Sequence, residues 1–339
     1  MQTFASATKE LLPNLAARKI FGLIKDEVAL VEAEFERQAR SNIQVIDYLG
    51  DYLRSSGGKR VRPALVILAN YSIGGRGDSD NVIRLATVME MLHTATLVHD
   101  DIIDNADLRR SRATINARFG NHAAVLMGDW LYMSAFETSL KERSLEILDI
   151  LTRLTRKMTE GELIQLTTIG KVDISEEEYY DILKRKTAYL FAGCCEIGAI
   201  LGDASPERQT AMREYGMNLG IAFQLADDLL DFTSDEKALG KAAGADLLEG
   251  KMTLPLIKLV KSDSSFKGMI EEIMLTGEYR DSVKNEIADQ LQNLNLLAQV
   301  QDIATGYASE ARKNLEILPQ TEYREALDEI PNFVIARNS

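Results

Sequence analysis

LVHDDIID, residues 97–104, closes the longer run DNVIRLATVMEMLHTATLVHDDIID (80–104), in which apolar residues recur at helical spacing up to three aspartates. A second apolar run, ending in QLADDLLD at 224–231, finishes on the same pattern. In a helix, residues i and i+4 lie one above the other. Asp100 with Asp104, and Asp227 with Asp231, therefore each present a carboxylate pair in one direction. Like charges at that spacing cost a few tenths of a kcal/mol. A bound cation explains them better than local stability does.

Outward from these two segments, helical periodicity continues almost throughout and strand-like alternation is nearly absent. It predicts helices near 8–38, 41–55, 60–72, 80–105, 115–140, 143–169, 175–202, 206–233, 252–262, 266–275, 279–295, 297–315 and 320–337. Breaks fall at SSGGKR, SIGGRGDSD, IGKVD, GDASPE, the 233–251 loop and KSDSSFKG. The RGD tripeptide at 76–78 reads as part of a solvated loop. No composition shift marks a second unit, so the expectation is all-α, one domain over 1–339, with a core of antiparallel helices.

Composition bounds the function. The chain has 339 residues, 45% hydrophobic and 27% charged, the balance of a globular protein. A net charge of -13 argues against a general nucleic-acid binder. The two cysteines, Cys194 and Cys195, are helix neighbours that point apart and read as buried thiols. His93, His99 and His122 have no zinc-site spacing. The N-terminus shows no charged region followed by an apolar run, and no stretch approaches the roughly 20 apolar residues of a membrane span. The expected location is cytoplasmic.

Carboxylates alone favour a hard cation. Magnesium takes one or two of them and completes its shell with water and substrate phosphates, which fits two sparse clusters better than a calcium cage does. The clusters thus imply a di- or polyphosphate between them. Cations stand where such an anion needs them. GGKRVR places Lys59, Arg60 and Arg62 after a glycine pair, and LRRSR places Arg109, Arg110 and Arg112 just past the first cluster. Arg109 and Arg110 point apart and suit two different phosphates. Lys186, Thr187, Gln224, Lys241 and Lys251 punctuate the helix and loop around the second cluster, where GKAAGADLLEGKMTLPL (240–256) has the look of a flexible lid.

GGKRVRP, HTATLVHDDIIDNADLRR, FGNHAAVLMGDWLY, KTAYLF, FQLADDLLD and GKAAGADLLEGKMTLPL, in that order, resemble the trans-isoprenyl diphosphate synthases along essentially the whole chain. The local pattern is most similar to the long-chain, homodimeric branch serving quinone side chains. Ser111 departs from the glycine usual after the arginine pair, and little effect is expected. The resemblance implies a bundle of the isoprenoid synthase type with a central active-site cavity. It also implies 1'-4 head-to-tail condensation of isopentenyl diphosphate onto an allylic diphosphate, with two or three magnesium ions per site. Asp100 and Asp104 would hold magnesium on the allylic diphosphate with Asp101 supporting, and Asp227, Asp228 and Asp231 would hold the opposite ion. Arg109, Lys186, Lys241 and Lys251 would grip the allylic diphosphate; Lys59, Arg62, His93 and Arg110 would bind isopentenyl diphosphate. Thr187 and Gln224 would face the reacting carbon.

Product length is read from what lies below the first cluster. Ala95 and Thr96, one turn before Asp100, are both small and leave the floor open, while Met127, Leu131 and Phe136 are candidates to line a tunnel. A long product, octaprenyl or near it, is expected. A shorter-chain synthase, a class I terpene cyclase and a non-catalytic subunit are the alternatives. DDLLDFTSD at 227–235 lacks the cyclase-type second motif, and both aspartate clusters are present where a subunit tends to lose them. A purely structural acidic helical protein fits least, because of the basic motifs.

Overall fold

The computed structural model describes residues 15–54, 58–110, 112–233, 244–279 and 281–335. Seventeen α-helices lie in these segments: α1 Leu15–Leu23, α2 Lys25–Ala39, α3 Gln44–Arg54, α4 Val61–Ile73, α5 Asp80–Ile103, α6 Ile115–Phe119, α7 Asn121–Ser139, α8 Leu145–Thr168, α9 Glu176–Leu183, α10 Tyr189–Leu201, α11 Pro206–Thr233, α12 Ala245–Leu248, α13 Leu254–Ser262, α14 Phe266–Thr276, α15 Asp281–Asn293, α16 Leu296–Lys313 and α17 Glu322–Ile335. A helix buried on most of its circumference belongs in the middle of a bundle. α4 and α5 meet that description, with Pro63–Asn70 and most of Val82–Leu92 out of solvent. α5 packs on α7, α4 and α2; α10 lies on α11 and α4; α16 backs α11. α8, apolar along one face only (Ile147, Ile150, Leu154, Met158), packs on α10.

The predicted helices return with three breaks that periodicity did not reveal. The 8–38 segment divides at Ile24, and its residues 8–14 lie outside the described ones. The 115–140 segment divides at Gly120, whose φ of 83° ends α6 and starts α7. The 175–202 segment is interrupted by a π-helical turn, Lys184–Ala188, between α9 and α10. A π turn holds an extra residue within a helix and is common at functional positions. The described residues also contain a two-stranded antiparallel hairpin, β1 Leu108–Arg109 and β2 Arg112–Ala113, with Arg109 opposite Arg112. Such a short ladder is too brief to register as alternation. Arg110 sits at its turn with φ 52°, in the left-handed region that favours glycine.

One helix pair sets the geometry of the site. A Cβ on Gly216 would come within 2.5 Å of the Phe191 carbonyl oxygen, and one on Gly220 within 2.6 Å of the Ala188 Cα. Both contacts are with backbone, so only glycine lets α11 lie this close to α10 and the π turn. Gly216, Gly220, Gln224 and Asp228 follow at intervals of four and share one face of α11. The bare end of this stripe brings its polar end against the π turn. Cys194 and Cys195 are free and buried in α10, and burial pushes both thiols up. Among the described residues no helix is long and apolar enough to cross a membrane.

Candidate active site

The carboxyl ends of α5 and α11 open on one cavity of about 440 Å³. Asp100 and Asp104 line it from the end of α5, and Asp227 and Asp228 from α11. The remaining two aspartates turn away from it. Asp101 is buried and accepts a hydrogen bond from Arg109 Nε at 2.7 Å, tying the hairpin to the end of α5. Asp231 is buried and accepts from the backbone amides of Ala245 (3.1 Å) and Asp246 (3.4 Å), anchoring the segment after α11.

The cations are unevenly placed. Arg109, Lys186 and Lys251 line the cavity with Arg62 and His93. Lys251 reaches across to Asp104 at 2.9 Å and is held from behind by Glu249 at 2.7 Å. Lys186 pairs with Glu162 at 2.7 Å and donates to Gln165. Arg62 stacks over Phe191 with its guanidinium carbon 5.1 Å from the ring centre, and its buried Nε has no partner among the described residues. Lys59 is half-buried and Arg110 exposed, and both stand outside the cavity wall. Arg60, between Lys59 and Arg62, is pinned between Glu32 and the buried Glu90, and so fixes that loop. Lys241 lies outside the described residues.

Electrostatics follow from burial. Burial, then the charge on Glu162, pushes the Asp100 carboxyl up to about 7, against the pull of Lys186. Burial, then Asp246, pushes Asp228 up to about 8. Both groups are costly to ionise without a cation, the condition under which a metal gains most from arriving. Burial and then the charges of Arg62 and Arg110 hold His93 well below its ordinary value, so it is a neutral ring.

Several wall residues were not read from the sequence. Glu162 and Gln165 project from α8, and Tyr179 from α9. Met158, Glu162 and Gln165 keep the i, i+4, i+7 rhythm of α8's inner face, so polar residues on an otherwise apolar stripe were the available signal. The tunnel reading needs correction. Thr96 lines the cavity, whereas Ala95 is wholly buried in the core. Met127 and Leu131 are also buried in the core, Phe136 packs against it, and Tyr132 is the α7 residue on the wall. The cause is the rotation of α7, whose Ala124–Met127–Leu131–Ala135 stripe is buried in the core beside α5. Gly128 admits the His99 ring there, where a Cβ would lie 2.2 Å from Nε2.

Comparison with known proteins agrees with this geometry. A sequence model of the polyprenyl synthetase family matches residues 43–291. The chain is 37% identical over 321 residues to octaprenyl diphosphate synthase of Escherichia coli (strain K12), covering 94% of this chain and 98% of the relative. It is 35% identical over 291 residues to geranylgeranyl diphosphate synthase of Methanosarcina mazei, covering 84% and 88%. A crystal structure of polyprenyl synthase from Caulobacter crescentus, complexed with calcium and isoprenyl diphosphate, superposes with a TM-score of 0.89 at 34% identity, covering 95% of this chain and 98% of that one. With paired aspartate clusters facing one cavity, cations set around it and a family match across most of its length, this chain belongs to the polyprenyl synthetase family.

Proposed function

We propose that the chain joins isopentenyl diphosphate head-to-tail to an allylic diphosphate, repeatedly, giving an all-trans long-chain polyprenyl diphosphate, octaprenyl or near it, for quinone side chains. The observation that carries this is the meeting of Asp100, Asp104 and Asp227 with Arg109, Lys186 and Lys251 in a single cavity. A cyclase would ionise an allylic diphosphate in a similar space but has no use for a second diphosphate pocket. Arg62, with its unpartnered buried Nε, and neutral His93 are on the cavity wall and would supply that pocket.

The residues fit magnesium. The donors at the two clusters are carboxylate oxygens, and among the described residues no three ligating side chains converge as a ready-made cage. That is the arrangement of a cation whose shell is completed by phosphate and water. Asp100, Asp104 and Asp227 would hold it, and it would supply Lewis-acid neutralisation of the leaving diphosphate. The protein's own part is electrostatic. Arg109, Lys186 and Lys251 take the charge that develops on the leaving group as the allylic C–O bond ionises. Thr187 and Gln224 turn oxygens towards the electron-poor carbon. The alkene of isopentenyl diphosphate attacks, and its proton passes to the departing diphosphate. The apolar wall, including Leu190 and Phe223, excludes water that would quench the cation.

Thr96 faces the cavity below Asp100. Thr96→Phe is therefore expected to shorten the product by several isoprene units with little loss of the first condensation, because each helical turn spans about 5.4 Å, close to one unit. Sizing products from labelled isopentenyl diphosphate tests both points. A farnesyl or geranylgeranyl product from the wild type refutes the long-chain reading, and an unchanged ladder in Thr96→Phe refutes the position of the floor.

We further infer a single-domain, cytoplasmic homodimer. Leu126 (68% exposed) and Met133 (62%) are one heptad apart on α7, and Leu163 (59%) and Leu166 (45%) lie on α8, leaving apolar surface that a second copy would cover. Leu126→Asp with Met133→Asp is expected to halve the sedimenting mass at micromolar concentration. An unchanged dimer would place the interface elsewhere.

A further inference from the structure

We propose that Tyr179 is a positioning residue for the transfer step, acting through Asp228 and Gln224 on Thr187. This rests on the prenyl-transfer reading above. The Tyr179 hydroxyl donates to Asp228 Oδ2 at 2.5 Å. Gln224 Nε2 donates to Asp228 Oδ1 at 3.0 Å, and Thr187 Oγ1 donates to Gln224 Oε1 at 2.9 Å. All four residues line the cavity, and Tyr179 and Asp228 are otherwise buried.

The chain of hydrogen bonds has one direction. An amide NH2 only donates, so with Gln224 Nε2 on Asp228 Oδ1 that oxygen is the acceptor whether or not the carboxyl carries a proton. The Gln224 carbonyl oxygen is then left to receive the Thr187 hydroxyl hydrogen. With that hydrogen committed, the lone pairs of Thr187 Oγ1 are free to face the cavity, where positive charge develops on the allylic carbon. Tyr179 is the far terminus of the series. Its hydroxyl occupies Oδ2, stopping the carboxylate from rotating and so holding the Gln224 amide in one orientation. Without it, Asp228 keeps a single side-chain donor, and both the carboxylate and the amide gain freedom to turn.

The backbone is built to bring these two ends together. α9 starts on a capping box: the Ser175 hydroxyl accepts from Glu178 N at 3.2 Å, and the Glu178 carboxylate accepts from Ser175 N at 2.8 Å. Tyr179 follows directly, so its bearing is fixed. Thr187 is eight residues on, about 800° around a regular α-helix, which is some 80° past two turns. The π turn absorbs one residue, so eight positions advance like seven, about 700°, within about 20° of two turns. Tyr179 and Thr187 thereby share a face, and the α11 stripe of Gly220, Gln224 and Asp228 runs alongside to join them. Tyr179 also packs edge-on against Tyr180, ring centres 5.4 Å apart, so its ring is held without the hydroxyl.

The test is a double-mutant cycle with Tyr179→Phe and Thr187→Val, measuring kcat, KM for each diphosphate and the melting temperature. Tyr179→Phe is expected to lower kcat about tenfold while both KM values stay within about twofold. Thr187→Val is expected to lower kcat about a hundredfold, and the double variant to fall within about twofold of Thr187→Val alone. Tyr179→His, which keeps a ring N–H, is expected to recover part of the loss and serves if the Phe variant folds poorly. Multiplicative losses, a KM change without a kcat change, or wild-type kcat in Tyr179→Phe each overturn the proposal. An inactive wild type would instead overturn the prenyl-transfer reading on which it rests.

Discussion

Asp100→Ala and Asp227→Ala are each expected to lower turnover by about a thousandfold or more at saturating magnesium, with the protein still folded. The two carboxylates line one cavity from two different helices, and their cluster neighbours are engaged elsewhere. Within their clusters Asp104 is paired with Lys251, and Asp101 and Asp231 are committed to Arg109 and to the amides of Ala245 and Asp246. Asp228 has Tyr179 and Gln224 on its two oxygens. Stability should move the other way for Asp100. Its carboxyl is buried and raised to about 7, so the folded protein prefers it protonated. In metal-free protein the stability from that protonation is fully present below the ordinary carboxylate value near 3.8, and is lost as pH rises through 7. Asp100→Ala removes that slope, and its metal-free melting temperature at about pH 8 is expected to equal or exceed the wild type's. A variant that is inactive but at least as stable separates a functional carboxylate from a structural one. Near-normal turnover in either variant would sink the assignment.

Gly220→Ala is expected to cost about 2 kcal/mol of stability and ten- to a hundredfold in kcat, although the residue touches no substrate. The added methyl would sit 2.6 Å from the Ala188 Cα. That neighbour is backbone, so α11 must move away from the π turn. Thr187 precedes Ala188 and Gln224 lies one turn beyond Gly220, so the displacement falls directly on their 2.9 Å hydrogen bond. Gly22 on α1, by contrast, has nothing within 4 Å of where a Cβ would sit and is the matched control: Gly22→Ala should leave kcat unchanged and stability level or slightly higher. Chemical denaturation and steady-state kinetics on the two variants check this. Equal effects at both positions would mean that close approach of α11 to the π turn is not what aligns the site.

The sequence carried the fold class and the reacting groups because both are local. Apolar residues at helical spacing announced α5 and α11, and arithmetic alone placed Asp100 with Asp104; the same arithmetic paired Asp227 with Asp231, which instead turns to the amides of Ala245 and Asp246. What lay hidden depends on pairings between distant segments. Nothing in the spacing of Lys251 says that it spans the cavity to Asp104, or that Arg60 is caught between Glu32 and Glu90. Asp101 and Asp231 looked equivalent to their neighbours, and only their partners distinguish anchors from wall. The π turn was invisible because KRKTA has ordinary helix propensity; its geometry is set by packing on α8 and α11. Ala95, Met127 and Leu131 went astray for a related reason. Periodicity fixes which residues share a face of α5 or α7, but not whether that face meets a cavity or another helix.

The central claim is that ionisation of an allylic diphosphate is coupled here to capture by isopentenyl diphosphate. The most direct measurement is the ratio of diphosphate released to labelled isopentenyl diphosphate incorporated, with purified enzyme, an allylic primer and magnesium. One diphosphate per isopentenyl unit is predicted, with no release when either isopentenyl diphosphate or magnesium is left out. Release of diphosphate from the primer alone, with a cyclic or hydrolysed product, would contradict it.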